Sequence, residues 1–185
     1  RLVSDWSSDA CSSDLVGGLQ KALKTFNAPK NIIIAVGGDE LFSTLQLVLN
    51  EKKINNILIE KPGSFYIREL FEAQKIAKLN NKKVWIAYNR RFYSSVIELK
   101  KRTEEEGGIT SIDFEFTEWS FQISELKKNA EIKNRWFLGN STHVIDLAFY
   151  LVGLPKEESF CTFIDGKLNW HQSGARYCGA GITQK

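Results

Sequence analysis

Cysteine is scarce in this chain and never closely spaced. Cys11, Cys161 and Cys178 are the only three in 185 residues, and no C-x-x-C pair occurs. Such usage excludes a disulfide-stapled scaffold, offers no cysteine cluster for a metal, and reads as free thiols in a reducing compartment. A cytoplasmic location and no metal site are therefore expected. An excess of one charge is also lacking. The formal net charge is only +3 and the lysines are scattered, so no nucleic-acid partner is expected. The basic run Lys100-Lys101-Arg102 meets Glu104-Glu105-Glu106 at once, which makes it a solvated helix end and not a phosphate-binding patch. No apolar stretch approaches the roughly 20 residues of a membrane-spanning helix, and no membrane partner is expected. What remains is an ordinary globular composition, 43% hydrophobic and 25% charged, long enough for one large or two small domains.

The first fifteen residues stand apart. Arg1 to Leu15 carry Ser-Ser-Asp twice and show neither helical nor strand periodicity, the composition of a disordered tail. They lack the basic start and apolar centre of a signal peptide, and they resemble translated sequencing-adapter sequence. Residues 1–15 are accordingly set aside as a non-native or disordered tail. The chain is expected to be a fragment, continuing upstream of Val16 and beyond the abrupt Gly179-Ala180-Gly181 turn and Lys185.

From Leu19 onward helix and strand patterns alternate. Leu19 to Phe26 is amphipathic and stops before Pro29. Ile32-Ile33-Ile34-Ala35-Val36 is the continuous β-branched run of a strand buried on both faces. Gly37-Gly38 turn the chain, and Asp39-Glu40 open a helix to about Lys52, acids at its positive end and Glu40 as a cap. A strand follows at Ile54 to Ile59, then a helix capped by Ser64 and reaching Leu79, then a strand at Val84-Trp85-Ile86-Ala87. Strands separated by single helices imply parallel pairing. Residues 16–88 thus read as part of a doubly wound parallel sheet. Beyond Tyr88 a long helix runs to Glu106 and ends at Gly107-Gly108. Ile112 to Trp119 then alternates apolar and acidic residues, the pattern of an antiparallel strand with one wet face. A helix is expected from Thr142 to Leu151 and strands at Glu158 to Ile164 and Leu168 to His171. Residues 89–185 read as part of an α+β domain with a mainly antiparallel open sheet, making the chain α/β overall.

Two places could carry chemistry. Ile57-Leu58-Ile59 runs into Glu60-Lys61-Pro62. Proline ends the ladder and leaves Lys61 at the strand's carboxyl end, the ligand-binding edge of open α/β sheets. A lysine partly desolvated there titrates nearer neutrality, as proton transfer requires. The other place is Asn140-Ser141-Thr142-His143-Val144-Ile145-Asp146, three cap-forming residues before an apolar helix. His143 then sits in the first turn, where the helix dipole disfavours imidazolium, and Asp146 lies three residues on, able to orient the ring. The bland alternatives are a surface Glu-Lys pair and a histidine that only caps a helix.

The strand–Glu60-Lys61-Pro62–helix unit, then Tyr88-Asn89-Arg90-Arg91-Phe92, then Ser141-Thr142-His143-Val144-Ile145-Asp146-Leu147 resemble, in that order, the glucose–fructose oxidoreductase, inositol dehydrogenase and rhizopine-catabolism (Gfo/Idh/MocA) family over about residues 30 to 175. The resemblance implies a Rossmann domain binding NAD or NADP, followed by a substrate domain whose open sheet mediates homo-oligomerisation. It implies hydride transfer at a sugar, cyclitol or nucleotide-sugar carbon. Lys61 and His143 take the catalytic positions, with Asp146 as orienting partner. Gly37, Gly38, Glu60, Lys61 and Pro62 fall on the cofactor side, and Asn89, Arg90, Trp136 and Asn140 on the substrate side. Two departures are plain. Gly139 stands where many members carry an aspartate, and no G-x-G-x-x-G precedes Ile32. The rival reading is a sugar-binding homologue that has lost its chemistry.

Overall fold

A computed structural model describes residues 18–25, 30–171 and 174–184; residues 1–15 lie outside that range. The first half contains helix α1 (Gly18–Thr25), strand β1 (Asn31–Ile34), helix α2 (Leu41–Leu49), strand β2 (Asn56–Ile59), helix α3 (Ile67–Leu79) and strand β3 (Lys83–Ile86). The strands form one parallel sheet in the order β1-β2-β3. The register aligns Ile33 with Leu58 and Leu58 with Trp85. The α/β class and parallel sheet expected from the alternation are present.

One face of this sheet is the core. Ile34, Ile57 and Ile59 point into it and meet Leu41, Leu45, Val48 and Leu49 of α2 and Ala73 and Ala77 of α3. Burying such aliphatic side chains, about 1.5–3 kcal/mol each, holds these helices to the sheet. The opposite face differs from the sequence expectation. β1 is not buried on both sides, because Ile33 is 72% exposed and Leu58 and Trp85 of the same row are also open. A β-branched run records strand propensity and cannot report whether a second layer covers it.

Ser64 does not cap α3 directly. Its hydroxyl accepts from the Tyr66 amide at 3.0 Å and donates to Glu69, fixing the turn that enters the helix. Glu40 occupies the cap position of α2 but makes no side-chain cap bond.

The second half begins with a 3-10 turn, Asn89–Phe92, followed by α4 (Ser94–Glu105), which ends at Gly107 and Gly108, both at positive φ. Three i,i+4 ion pairs run along α4. Residues 111–119 form no regular element, and among the described residues they pair with no strand. This corrects the expected strand: alternation can prescribe an extended backbone, whereas a ladder also needs a neighbour. Two short helices, α5 (Ser120–Glu125) and α6 (Ala130–Asn134), lead to a π-helical turn at Phe137–Ser141 and then to α7 (Thr142–Val152), closed by Gly153. Strands β4 (Cys161–Asp165) and β5 (Arg176–Ala180) form a separate antiparallel pair. Leu168 and His171 make only an isolated bridge. Gly179 and Ala180 belong to β5, not to a turn. A Cβ at Gly179 would lie 2.7 Å from the Cys161 carbonyl oxygen, so glycine is what lets the two strands approach. Cys161 and Cys178 are free and exposed.

Candidate active site

Three loops meet at the carboxyl edge of the parallel sheet. Gly37-Gly38 leave β1, Glu60-Lys61-Pro62 leave β2, and Tyr88-Asn89-Arg90 leave β3. Phe65 draws two of them toward the second half of the chain. It is buried, and its ring lies so close to Gly38 that a Cβ there would sit 2.6 Å from Cζ. A Cβ at Gly139 would lie 3.3 Å from Cε1 of the same ring. The position where the resemblance anticipates an aspartate is therefore crowded by an aromatic ring.

Lys61 is the centre of this edge. Its ammonium Nζ donates to the Gly139 carbonyl in the π-helical turn, and its amide donates to Glu60 Oε2 at 3.2 Å. Burial lowers its pKa from the ordinary 10.5, with Arg90 acting the same way and Glu60 and Glu118 opposing. The shift has the direction that a proton-transfer group needs. Pro62 is buried, and the Gly63 amide donates to the Glu60 carbonyl at 2.9 Å, closing the turn that presents Lys61.

His143 is the second residue of α7. Burial is the first cause of its lowered pKa, followed by the positive charges of Lys61 and Arg90, with Glu60 and Asp146 opposing. The ring packs edge-on to Tyr88, with centroids 6.1 Å apart. Its Nδ1 is buried and has no hydrogen-bond partner among the described residues. An orphaned ring nitrogen costs desolvation energy unless something fills its need.

Asp146 is placed differently from the orienting role read in the sequence. Both of its oxygens are taken by Arg91, Nε to Oδ2 at 2.7 Å and Nη2 to Oδ1. The pair fastens the 3-10 turn to α7 and acts on His143 only through its charge. The capping residues are redirected as well. Asn140 and Ser141 donate to Glu118 Oε1, both at 3.0 Å, and Trp136 Nε1 donates to Glu118 Oε2. Only Thr142 turns back, to the Leu138 carbonyl at 2.9 Å. Asn89 is exposed, and Arg90 is half-buried, facing Lys61 and His143 through its charge.

The structure thus brings Lys61, Arg90 and His143 together, with Gly38 and Gly139 in contact range of Phe65. Trp136 and Asn140 are engaged by Glu118. Sequence reasoning did not single out Phe65, Tyr88, Arg91 or Glu118 as site residues. Glu118 did carry a signal: it takes the fourth place in the alternating row Ile112, Phe114, Phe116, an acid in an apolar series. Glu118 and Asn140 also line an open cleft of about 410 Å³ with Trp119 and Gln122.

No protein-family model matches the sequence, and no curated protein matches it. Solved structures do match its fold. A candidate oxidoreductase, yvaA of Bacillus subtilis, aligns over 89% of this chain at 13% identity and a TM-score of 0.66, with 46% of its own length covered. An oxidoreductase from Bacillus cereus aligns over 91% at 16% identity and a TM-score of 0.62, with 47% of its length covered. The WlbA (WbpB) dehydrogenase from Thermus thermophilus, solved in complex with NAD and UDP-GlcNAcA, aligns over 81% at 15% identity and a TM-score of 0.59, with 48% of its length covered. The chain therefore spans less than half the length of each of these proteins, and with each it shares the α/β fold.

Proposed function

We propose that the chain carries the nicotinamide-side and substrate-side groups of an NAD- or NADP-dependent oxidoreductase acting at a sugar, cyclitol or nucleotide-sugar hydroxyl or carbonyl. The observation that carries this reading is the unpartnered, buried Nδ1 of His143 beside a desolvated Lys61 at the carboxyl edge of a parallel sheet. Ligands bind at this edge in open α/β sheets, and both groups have pKa values shifted toward neutral forms that can exchange a proton. The oxidoreductase neighbours, one of them holding a nicotinamide cofactor and a nucleotide sugar, support the same class.

The residues present fit the nicotinamide end of such a cofactor. Gly37 and Gly38 leave the β1 edge, Gly38 packed against the Phe65 ring, and Glu60, Lys61 and Pro62 form the adjoining loop. The pyrophosphate has no matching G-x-G-x-x-G loop in this sequence. When bound, the nicotinamide accepts or delivers the hydride. Lys61 would donate a hydrogen bond to the substrate oxygen and stabilise charge developing there. His143 in its neutral form would take or return the hydroxyl proton. Arg90 lies beside both and Asn89 at the rim, while Asn140 lines the cleft that would hold the rest of the substrate. Residues 16–88 and 89–185 would form the cofactor and substrate parts respectively. A self-associating role for the second sheet is favoured by the exposure of Phe163 and Ile164 on β4.

A non-catalytic binder is the second reading, and Gly139 favours it, since the aspartate that resemblance anticipates is absent. Turnover decides between them. In the whole protein, reduced nicotinamide should form with a sugar or nucleotide sugar, and Lys61→Ala should abolish it at an unchanged urea midpoint. Near-normal kcat in Lys61→Ala would assign Lys61 to a structural contact. Substrate binding without any turnover in the unaltered protein would favour the binder.

A further inference from the structure

Glu118 stands near the end of the irregular segment 111–119 and is hydrogen-bonded to three side chains far from it in sequence. Trp136 donates to Oε2, and Asn140 and Ser141 both donate to Oε1 at 3.0 Å. These donors bracket Gly139, whose carbonyl accepts from Lys61. Gly139 lies inside the π-helical turn Phe137–Ser141, a local departure from the α-helix of the kind common at functional sites. None of the three donors is cationic, so the negative charge of Glu118 is not cancelled by them.

We propose that Glu118 is a positioning residue of this site, fastening the Phe137–Ser141 turn so that the Gly139 carbonyl holds the Lys61 ammonium in place and opposing its loss of charge. The inference rests on Lys61 as the proton-handling group. Two independent observations converge on it. Geometrically, Glu118 braces residues on both sides of the Gly139 carbonyl that accepts from Lys61. Electrostatically, it acts directly on Lys61, favouring the ammonium form. The charged and titratable groups facing Lys61 are Glu60 from its own loop, Glu118 from the irregular segment, Arg90 from the 3-10 turn and His143 from α7. Glu118 is the acid among them that does not belong to the lysine's own loop. It thereby holds Lys61 against burial and against Arg90, both of which drive off its proton.

Competitive acylation of Lys61 across pH, read by peptide mass spectrometry, tests this without turnover or cofactor. Glu118→Gln keeps an oxygen that can accept from Asn140 and Ser141 but removes the charge. The Lys61 midpoint should fall, raising its acylation below the midpoint by about two- to tenfold, a full unit being tenfold. An unchanged midpoint, or one moved up toward a free lysine, would overturn the proposal and leave Glu118 a plain brace. Should Glu118→Gln not fold, Lys61→Met supplies the reciprocal measurement. It should shift the Trp136 indole N–H resonance, identified by its disappearance in Trp136→Phe, and an unmoved resonance would overturn the coupling. A shifted midpoint in a protein without turnover would count against the oxidoreductase reading alone; turnover with an unshifted midpoint would count against Glu118 alone.

Discussion

Arg91 grips Asp146 with both arms of its guanidinium, Nε to Oδ2 at 2.7 Å and Nη2 to Oδ1, across 55 residues of sequence. The carboxylate is 12% exposed and the guanidinium 38%. The same guanidinium lies over the Tyr88 ring at 5.6 Å and the Tyr150 ring at 5.0 Å. It therefore joins the loop after β3 to the helix that carries His143. Removing Arg91 would leave a nearly buried carboxylate unpaired. Arg91→Ala is expected to cost about 2 kcal/mol, between the values for exposed and buried pairs, and Arg91→Lys to recover only part of it, because a point ammonium cannot reproduce the fork. Urea denaturation of the two variants checks both figures. Equal stability in Arg91→Ala and the unaltered chain would show the pair to be ornamental.

Gly38 and Phe65 make a second prediction. A methyl group at residue 38 would approach Phe65 Cζ to 2.6 Å, and the ring is buried, so it has little freedom to withdraw. Gly38→Ala should cost about 1–3 kcal/mol, the range for overpacking a core. Combining it with Phe65→Leu should restore part of the loss, because the smaller side chain leaves room. Thermal unfolding of the single and double variants would show it; additive losses would mean that the two residues do not share the space.

His143 makes a prediction in pH. Its pKa in the folded chain is lowered from 6.5, by burial first and then by Lys61 and Arg90. Well above pH 6.5 both folded and unfolded histidine are neutral, and stability is fully present. As pH falls below 6.5 the unfolded chain takes up the proton first, so stability declines until the folded pKa is passed. His143→Asn should flatten part of that decline in the urea midpoint. His171 shifts in the same direction and should retain the remainder. In the whole protein the same variant should lower kcat/KM by roughly 10²–10⁴ if His143 exchanges the substrate proton. A flattened stability profile at unchanged kcat/KM would confine His143 to structure.

Much of the first half was legible in the residues. The strand read at Ile32 to Val36, which the structure ends at Ile34, the strand ending at Ile59 and the helices between them follow from local periodicity, and Pro62 marks where β2 must stop. The register of parallel strands then carries Glu60 and Lys61 to the same edge as Gly37 and Tyr88. The second half was less so. Ile112 to Trp119 alternates like a strand yet finds no partner among the described residues, and Gly179-Ala180 reads like a turn yet pairs with β4. Alternation and glycine content are properties of one segment, while pairing is a property of two.

The sequence by itself therefore determined the α/β alternation, the place of Lys61 at a strand end and the place of His143 in a first helical turn, because each depends on neighbours within a few residues. Only the tertiary structure decided the partners. Asp146 went to Arg91 and not to the histidine ring, Asn140 and Ser141 went to Glu118 and not to the helix end, and Phe65 filled the space at Gly139. Those choices compare hydrogen bonds and contacts between residues separated by 22 to 74 positions. Their energies depend on which groups become buried together, and no local pattern encodes that.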